Sequence, residues 1–341
     1  MIGNGGPRIG WLPFDDPYLH IDISKTDTYI RMRYKNIADA LALQSFGHHE
    51  IYRDDQSYDA VVFLKSGLRQ IERFEKIASE LKKRHIPFLY DLNVNYLEVW
   101  GEFIEDYLRP TSAHIAHAFA MFDMADGVVA DSGYLGQVAA KYHANVNVVP
   151  DNVNLKHHRY TKIHRNSSED LVVGWCGVSV KSYHLKSIEK VLKKIYDCRK
   201  VHYLFISDGQ LKYPPDVPYE LRIFNYDRFP KDIFECDICI SPKVLNNSYE
   251  FGHTEFKITT FMAQSVPPVV SPQPSYVEAV RQGQNGYLVY TDEEWETHIK
   301  ALIDDPALRN RMGLAAANMV RERYASFVVA KRYASALQSI L

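Results

Sequence analysis

Short apolar runs alternate with longer amphipathic stretches along almost the whole chain. In the first half the runs at 8–12, 58–64, 86–91, 127–131 and 146–149 read as buried strands. Segments 29–46, 68–84 and 134–143 carry helical periodicity between them. Two further helical pieces flank Pro110, the second at 112–124, and Ser132 is placed to cap the helix that follows it. Residues 150–170 are polar and aperiodic. The alternation then restarts, with strands at 171–176, 201–206, 220–224, 237–241, 269–271 and 286–290 and helices at 185–196, 254–264 and 275–282. From residue 291 the pattern is almost wholly helical. Strands alternating with helices of this length predict parallel, doubly wound sheets. The expected organisation is a first domain at 1–155, a linker at 156–170, a second domain at 171–325, and a final helix at 326–341 reaching back to the first.

Residues 237–271 are the most informative stretch. A strand ending at Ser241-Pro242 leads into a polar loop (243–252), then a helix, then a second strand behind two prolines. That order is one βαβ crossover. Open parallel sheets take ligands at the carboxyl ends of their strands, where this loop lies. Backbone N–H groups there, with Lys243, His253 and Lys257, suit an anion such as a diphosphate.

Composition narrows the field. At 341 residues the chain exceeds one ordinary hydrophobic core, and 46% hydrophobic residues is a globular content. A net charge of −2 argues against general affinity for nucleic acid or anionic membrane. No apolar run is long enough to span a bilayer, and the opening residues lack the pattern of a signal peptide. Four scattered cysteines do not make a secreted disulfide framework, so a reduced, cytoplasmic protein is expected. Cys236 and Cys239 sit three apart in a strand, on opposite faces, which favours burial over metal or redox work. His48-His49 reads as a solvated pair. Asp15-Asp16, Asp54-Asp55 and Asp304-Asp305 are adjacent pairs, not the D-x-D that holds a metal, and no metal site is expected. The absence of G-x-G-x-x-G after any strand counts against a nicotinamide dehydrogenase.

Several segments occur in an order that resembles the donor domain of GT-B glycosyltransferases, in particular the retaining family 4. Gly174-Trp175-Cys176-Gly177 followed by Lys181 is similar to the family's strand and glycine turn, and Ser207-Asp208-Gly209 to its next turn. Asp237-Ile238-Cys239-Ile240-Ser241-Pro242 resembles the D-I-x-I-x-P strand. Lys257 to Ala263 with Pro267 to Pro272 resembles K-x-x-E-Y-M-A-x-G-x-P-V-V-x-S. Gln284-Asn285-Gly286 and Asp305-Pro306 follow in register, and residues 125–153 look like the end of an acceptor domain. The resemblance implies two Rossmann-like domains facing a cleft. It implies transfer of a sugar from a nucleotide donor (a UDP- or GDP-sugar) to a hydroxyl on a carbohydrate, lipid-linked or protein acceptor. Retention, independence of metal and the absence of any other cofactor come with it.

The donor residues implied are Gly177, Lys181, Ser241, Pro242, Glu250, Gly252, His253, Glu255, Lys257 and Thr260. Asp91, ending a first-domain strand with Asn93 and Asn95 beyond, is the carboxylate expected to meet acceptor hydroxyls; a turn-capping role is the plainer reading. Two features depart from the family. Thr260 stands where a carboxylate usually holds the ribose, and Gly3, Gly5 and Gly6 precede the first strand instead of following it. Trp11, Phe14 and Tyr18 are candidates for weak peripheral membrane contact. The alternatives are a non-catalytic GT-B-fold binding or scaffold protein and a nucleotide-sugar epimerase.

Overall fold

The computed structural model describes residues 6–13, 30–64, 70–164, 170–199 and 201–341. The chain divides into two units. The first comprises Met1–Asn152, Asn246–Thr254 and Ala325–Leu341, the second Val153–Leu245 and Glu255–Tyr324.

In the first unit, β1 (Arg8–Leu12), β2 (His48–Ile51), β3 (Ala60–Phe63), β4 (Phe88–Leu92), β5 (Gly127–Ala130) and β6 (Val146–Val148) form a parallel sheet in the order β2-β1-β3-β4-β5-β6. β3 to β5 are buried along their whole length, which is why they read as unbroken apolar runs. β2 was expected to be a solvated His pair. It is instead an edge strand, held by Arg8 Nε donating to Glu50 Oε1 at 2.7 Å, and its half-exposed polar residues hide it from hydrophobic patterning. The expected cap forms, with Leu135 N–H donating to Ser132 Oγ, and Thr111 caps the helix at 112–124 by accepting from His114 N–H. The C-terminal helix, Ser326–Gln338, is part of this unit and packs on the helix Asn36–Leu43.

The structure corrects two expectations here. Asp91 is fully buried, not open to a substrate. Its carboxylate accepts from Arg33 Nε at 3.0 Å and Nη2 at 2.8 Å, and from the Tyr333 hydroxyl at 3.0 Å. Arg33 lies in a π-helical turn, Arg31–Lys35, and also donates to Val149 O and Asp151. Asp91 thus ties the end of β4 to the turn Arg31–Lys35 and to the helix Ser326–Gln338. Trp11 is likewise fully buried, its Nε1–H donating to His49 Nδ1 at 3.2 Å and its ring 5.4 Å from that of Tyr333, so it presents nothing to a membrane. Phe14 and Tyr18 lie outside the described residues.

In the second unit, β7 (Val172–Cys176), β8 (His202–Ser207), β9 (Glu220–Ile223), β10 (Ile238–Ser241), β11 (Pro268–Val270) and β12 (Tyr287–Leu288) form a parallel sheet in the order β12-β11-β10-β7-β8-β9. Helices cover both faces, with Val191, Leu192 and Ile195 on one and Ile258, Phe261 and Met262 on the other. Cys236 and Cys239 are buried free thiols, as expected, but Cys236 precedes β10 and both lie in one core cluster instead of on opposite faces of the strand.

The stretch predicted to be a linker is bound to this unit over 153–164; residues 165–169 lie outside the described residues. Lys162 Nζ lies 2.9 Å from Asp237 Oδ1 and His164 Nδ1 3.3 Å from the same oxygen, while Val172 N–H donates to Oδ2. Burial alone would raise the Asp237 pKa. The hydrogen bond with His164 and the Lys162 charge outweigh it and hold the carboxyl at about 2, against an ordinary 3.8. A depressed carboxyl pKa stabilises the fold above the ordinary value and loses that contribution as pH falls through the depressed one. Wild type should therefore exceed Asp237→Asn by on the order of 2 kcal/mol near neutrality. In denaturant titrations run at successive pH values, the gap should close as pH drops from 3.8 to about 2. A gap independent of pH would contradict this reading.

Candidate functional site

The carboxyl ends of β7, β10 and β11 converge with the start of the helix Phe256–Ala263. β7 ends at Cys176 and turns at Gly177, whose N–H donates to Ile206 O at 3.0 Å. A Cβ on Gly177 would lie 2.5 Å from the Trp175 ring and 3.1 Å from Lys257 Nζ. The glycine therefore leaves room for the Lys257 ammonium to lie across the turn. Beyond it the short helical turn Ser179–Ser182 is held by Ser179 N–H donating to Asp208 Oδ1 at 2.6 Å. That bond gives the Ser207-Asp208-Gly209 turn a structural role. Lys181, on this turn, is only 3% exposed, against the usual fate of lysine.

Across the site, Pro242 ends β10 and the loop after it is pinned. Lys243 N–H donates to Ser271 Oγ at 2.9 Å and Val244 N–H to His184 Nδ1 at 3.0 Å. Ser241 Oγ is within 2.8 Å of the Tyr276 hydroxyl, so its side chain serves the core of the site. The Cys176 thiol gauges the local charge. Burial pushes its pKa up to about 11, and Lys257 and then Lys243 pull against that rise. Both ammonium groups thus act on the end of β7. The result is a cationic cluster at the ligand-binding end of a parallel sheet, beside the positive end of a helix.

Segment Asn246–Thr254 belongs to the first unit, where Gly101 and Asn247 form an antiparallel bridge and Ser248 N–H donates to Trp100 O. Residues 248–251 are a helical turn capped by Asn247, not an irregular loop. Glu250 is buried there, a Cβ on Gly252 would meet Leu135 and Asn95, and the His253 ring lies edge-on to Tyr249 at 4.4 Å. Five of the loop amides, those of Lys243, Val244, Glu250, Phe251 and Gly252, donate to protein acceptors. Glu255 is buried at the start of the helix, its C=O accepting from Ile258 and Thr259. Thr260 is fully buried and its hydroxyl donates to Lys257 O at 2.8 Å. His184, Ser271 and Tyr276 support the loop and carry no sequence signal, because their partners are 28 to 60 residues away.

A cavity of about 750 Å³ lies at the opposite, amino end of this sheet, lined by Val172, His202 and Glu220 with Tyr196, Tyr203 and Tyr219. It does not touch the lysines. Among the described residues no group of three His, Cys, Asp or Glu side chains could hold a metal ion. No described helix is long and apolar enough to cross a membrane.

No protein-family model matches this sequence, and no curated protein matches it. Solved structures do match in shape. HepE of Anabaena in complex with UDP aligns over 97% of this chain and 100% of its own, with a TM-score of 0.69 and 13% identity. Sucrose-phosphate synthase of Thermosynechococcus elongatus aligns over 97% and 98%, with a TM-score of 0.67 and 13% identity. The lipopolysaccharide outer core galactosyltransferase WaaB aligns over 98% and 100%, with a TM-score of 0.65 and 10% identity. Two Rossmann-like units with six-stranded parallel sheets define a class, and the class is the GT-B fold of glycosyltransferases.

Proposed function

We propose that the second unit grips the diphosphate of a nucleotide sugar and that the protein is a glycosyltransferase. The observation that carries this reading is Lys257, whose ammonium lies across the Gly177 turn and joins Lys243 in acting on the end of β7. As the glycosidic bond of the donor breaks, negative charge builds on the departing diphosphate. Fixed ammonium groups stabilise that charge more than they stabilise the ground state, which is the condition for catalysis. Shared shape with proteins crystallised with UDP and UDP-glucose supports a uridine nucleotide as the first donor to test. The family resemblance supports transfer with retention, without a metal or other cofactor, to a hydroxyl on a carbohydrate, lipid-linked or protein acceptor.

One observation favours a second reading, a nucleotide-binding relative that does not turn over. Thr260 uses its hydroxyl on the helix backbone, so the usual ribose contact is missing. A melting-temperature panel of UDP, GDP, ADP and their sugars, followed by assay of nucleotide release, tests both. A ligand at 100 times its Kd should stabilise the fold by about 2.7 kcal/mol. Stabilisation by one nucleoside diphosphate together with release from its sugar supports the transferase. Stabilisation without release supports the second reading, and no stabilisation by any member at millimolar concentration overturns both.

A further inference from the structure

The loop after β4 holds a feature that the donor site does not use. Its base is pinned. Gly101, at φ +88°, approaches the backbone of Asn246 so closely that a Cβ would lie 2.1 Å from Asn246 O. Asn247 Nδ2 donates to Glu102 O at 2.8 Å, Glu102 N–H to Asn246 O at 3.2 Å, and Arg109 Nη2 to Gly101 O at 3.2 Å. The Arg109 guanidinium also lies over the Phe103 ring at 5.2 Å. The Trp100 ring packs on Phe251 at 5.2 Å, and Phe251 on Tyr134 at 5.7 Å. Despite these constraints the loop displays three large apolar side chains to solvent: Trp100 at 40%, Ile104 at 49% and Tyr107 at 67% exposure.

Apolar groups held exposed on an ordered loop, at the end of a parallel sheet where ligands bind, mark a contact surface. The ordering cost has already been met in the free protein, which favours binding. Charge selects the occupant. Glu102, Glu105 and Asp106 are interleaved with the rings, Arg109 is engaged within the loop, and Lys141 pairs with Glu98 at 2.7 Å. Such a surface repels anionic lipid and nucleic acid. A sugar ring fits both halves of it, since its C–H face can lie on an aromatic ring while its hydroxyls donate to carboxylates.

We propose that residues 98–109 are a platform for an uncharged glycan, the carbohydrate part of the acceptor. The assignment to the acceptor rests on the transferase reading; the binding itself does not. Trp11, Trp175 and Trp295 are at most 4% exposed, so Trp100 dominates quenching of tryptophan fluorescence by acrylamide. A Trp100→Phe variant identifies its component. Maltotriose, cellotriose, chitotriose and mannotriose are then titrated against wild type. At least one should protect Trp100 saturably, lowering its quenching constant by about twofold or more. Tyr107→Ala should weaken that sugar about tenfold, the loss of roughly 1.4 kcal/mol, with the nucleotide-induced rise in melting temperature unchanged. The proposal is overturned if none of the four protects Trp100, or if Tyr107→Ala leaves protection intact. It is equally overturned if vesicles of phosphatidylglycerol, or self-association, protect Trp100 in place of the sugars. Loss of the nucleotide response in wild type would count against the donor site alone and leave the Trp100 result to stand by itself.

Discussion

Lys257→Ala should lower sugar transfer by about 10²–10³-fold and remove most of the melting-temperature rise given by nucleoside diphosphate. The lysine is half-buried and its ammonium lies 3.1 Å from where a Cβ on Gly177 would be. Few alternative cations can replace it, because Lys181 is buried on its own turn and Lys243 is on a pinned loop. Losing it therefore leaves leaving-group charge without its nearest partner. Lys257→Met retains most of the stem that crosses the turn and should fail in the same way, whereas a purely structural lysine would tolerate that change. The measurements are kcat/KM for donor, with nucleotide release as the signal, and melting temperature with and without UDP. A variant that loses less than about threefold in both would contradict the assignment.

Asp91→Ala and Arg33→Ala should each destabilise the first unit by about 3–5 kcal/mol, since either leaves a buried charge without its partner. Both side chains are fully buried and share two hydrogen bonds of 2.8 and 3.0 Å, and the Tyr333 hydroxyl adds a third to Asp91. The double variant Arg33→Met with Asp91→Leu should recover much of the loss, because it removes both charges at once. Denaturant titration of wild type, Arg33→Met, Asp91→Leu and the double variant closes the cycle and gives the coupling energy. If Asp91→Asn instead folded with wild-type stability and lost activity selectively, Asp91 would return as an acceptor-side catalyst.

How far the sequence foretold this depends on what each segment presents to its neighbours. Buried strands such as Ala60–Phe63 and Val172–Cys176 announce themselves because both faces are covered. β2 escaped notice because an edge strand with the residues His48-His49-Glu50 carries no apolar signal. Lys257 and Gly177 were legible through motif order, and the structure brings them together. Asp91 misled for a physical reason. A carboxylate at a strand end looks the same in sequence whether it faces solvent or an arginine 58 residues upstream. Segment Asn246–Thr254 misled in another way. Its polar composition fits an open loop, but Asn247 and Ser248 spend that polarity on the backbone and side-chain bonds that join it to Trp100, Gly101 and Glu102.

The central claim is that cationic side chains at the carboxyl ends of β7 and β10 hold a diphosphate. A crystal structure with UDP bound tests it most directly. The account predicts phosphate oxygens within hydrogen-bonding distance of Lys257 Nζ, beside the Gly177 turn. Nucleotide in the 750 Å³ cavity at the amino end of the same sheet, with Lys257 untouched, would contradict it.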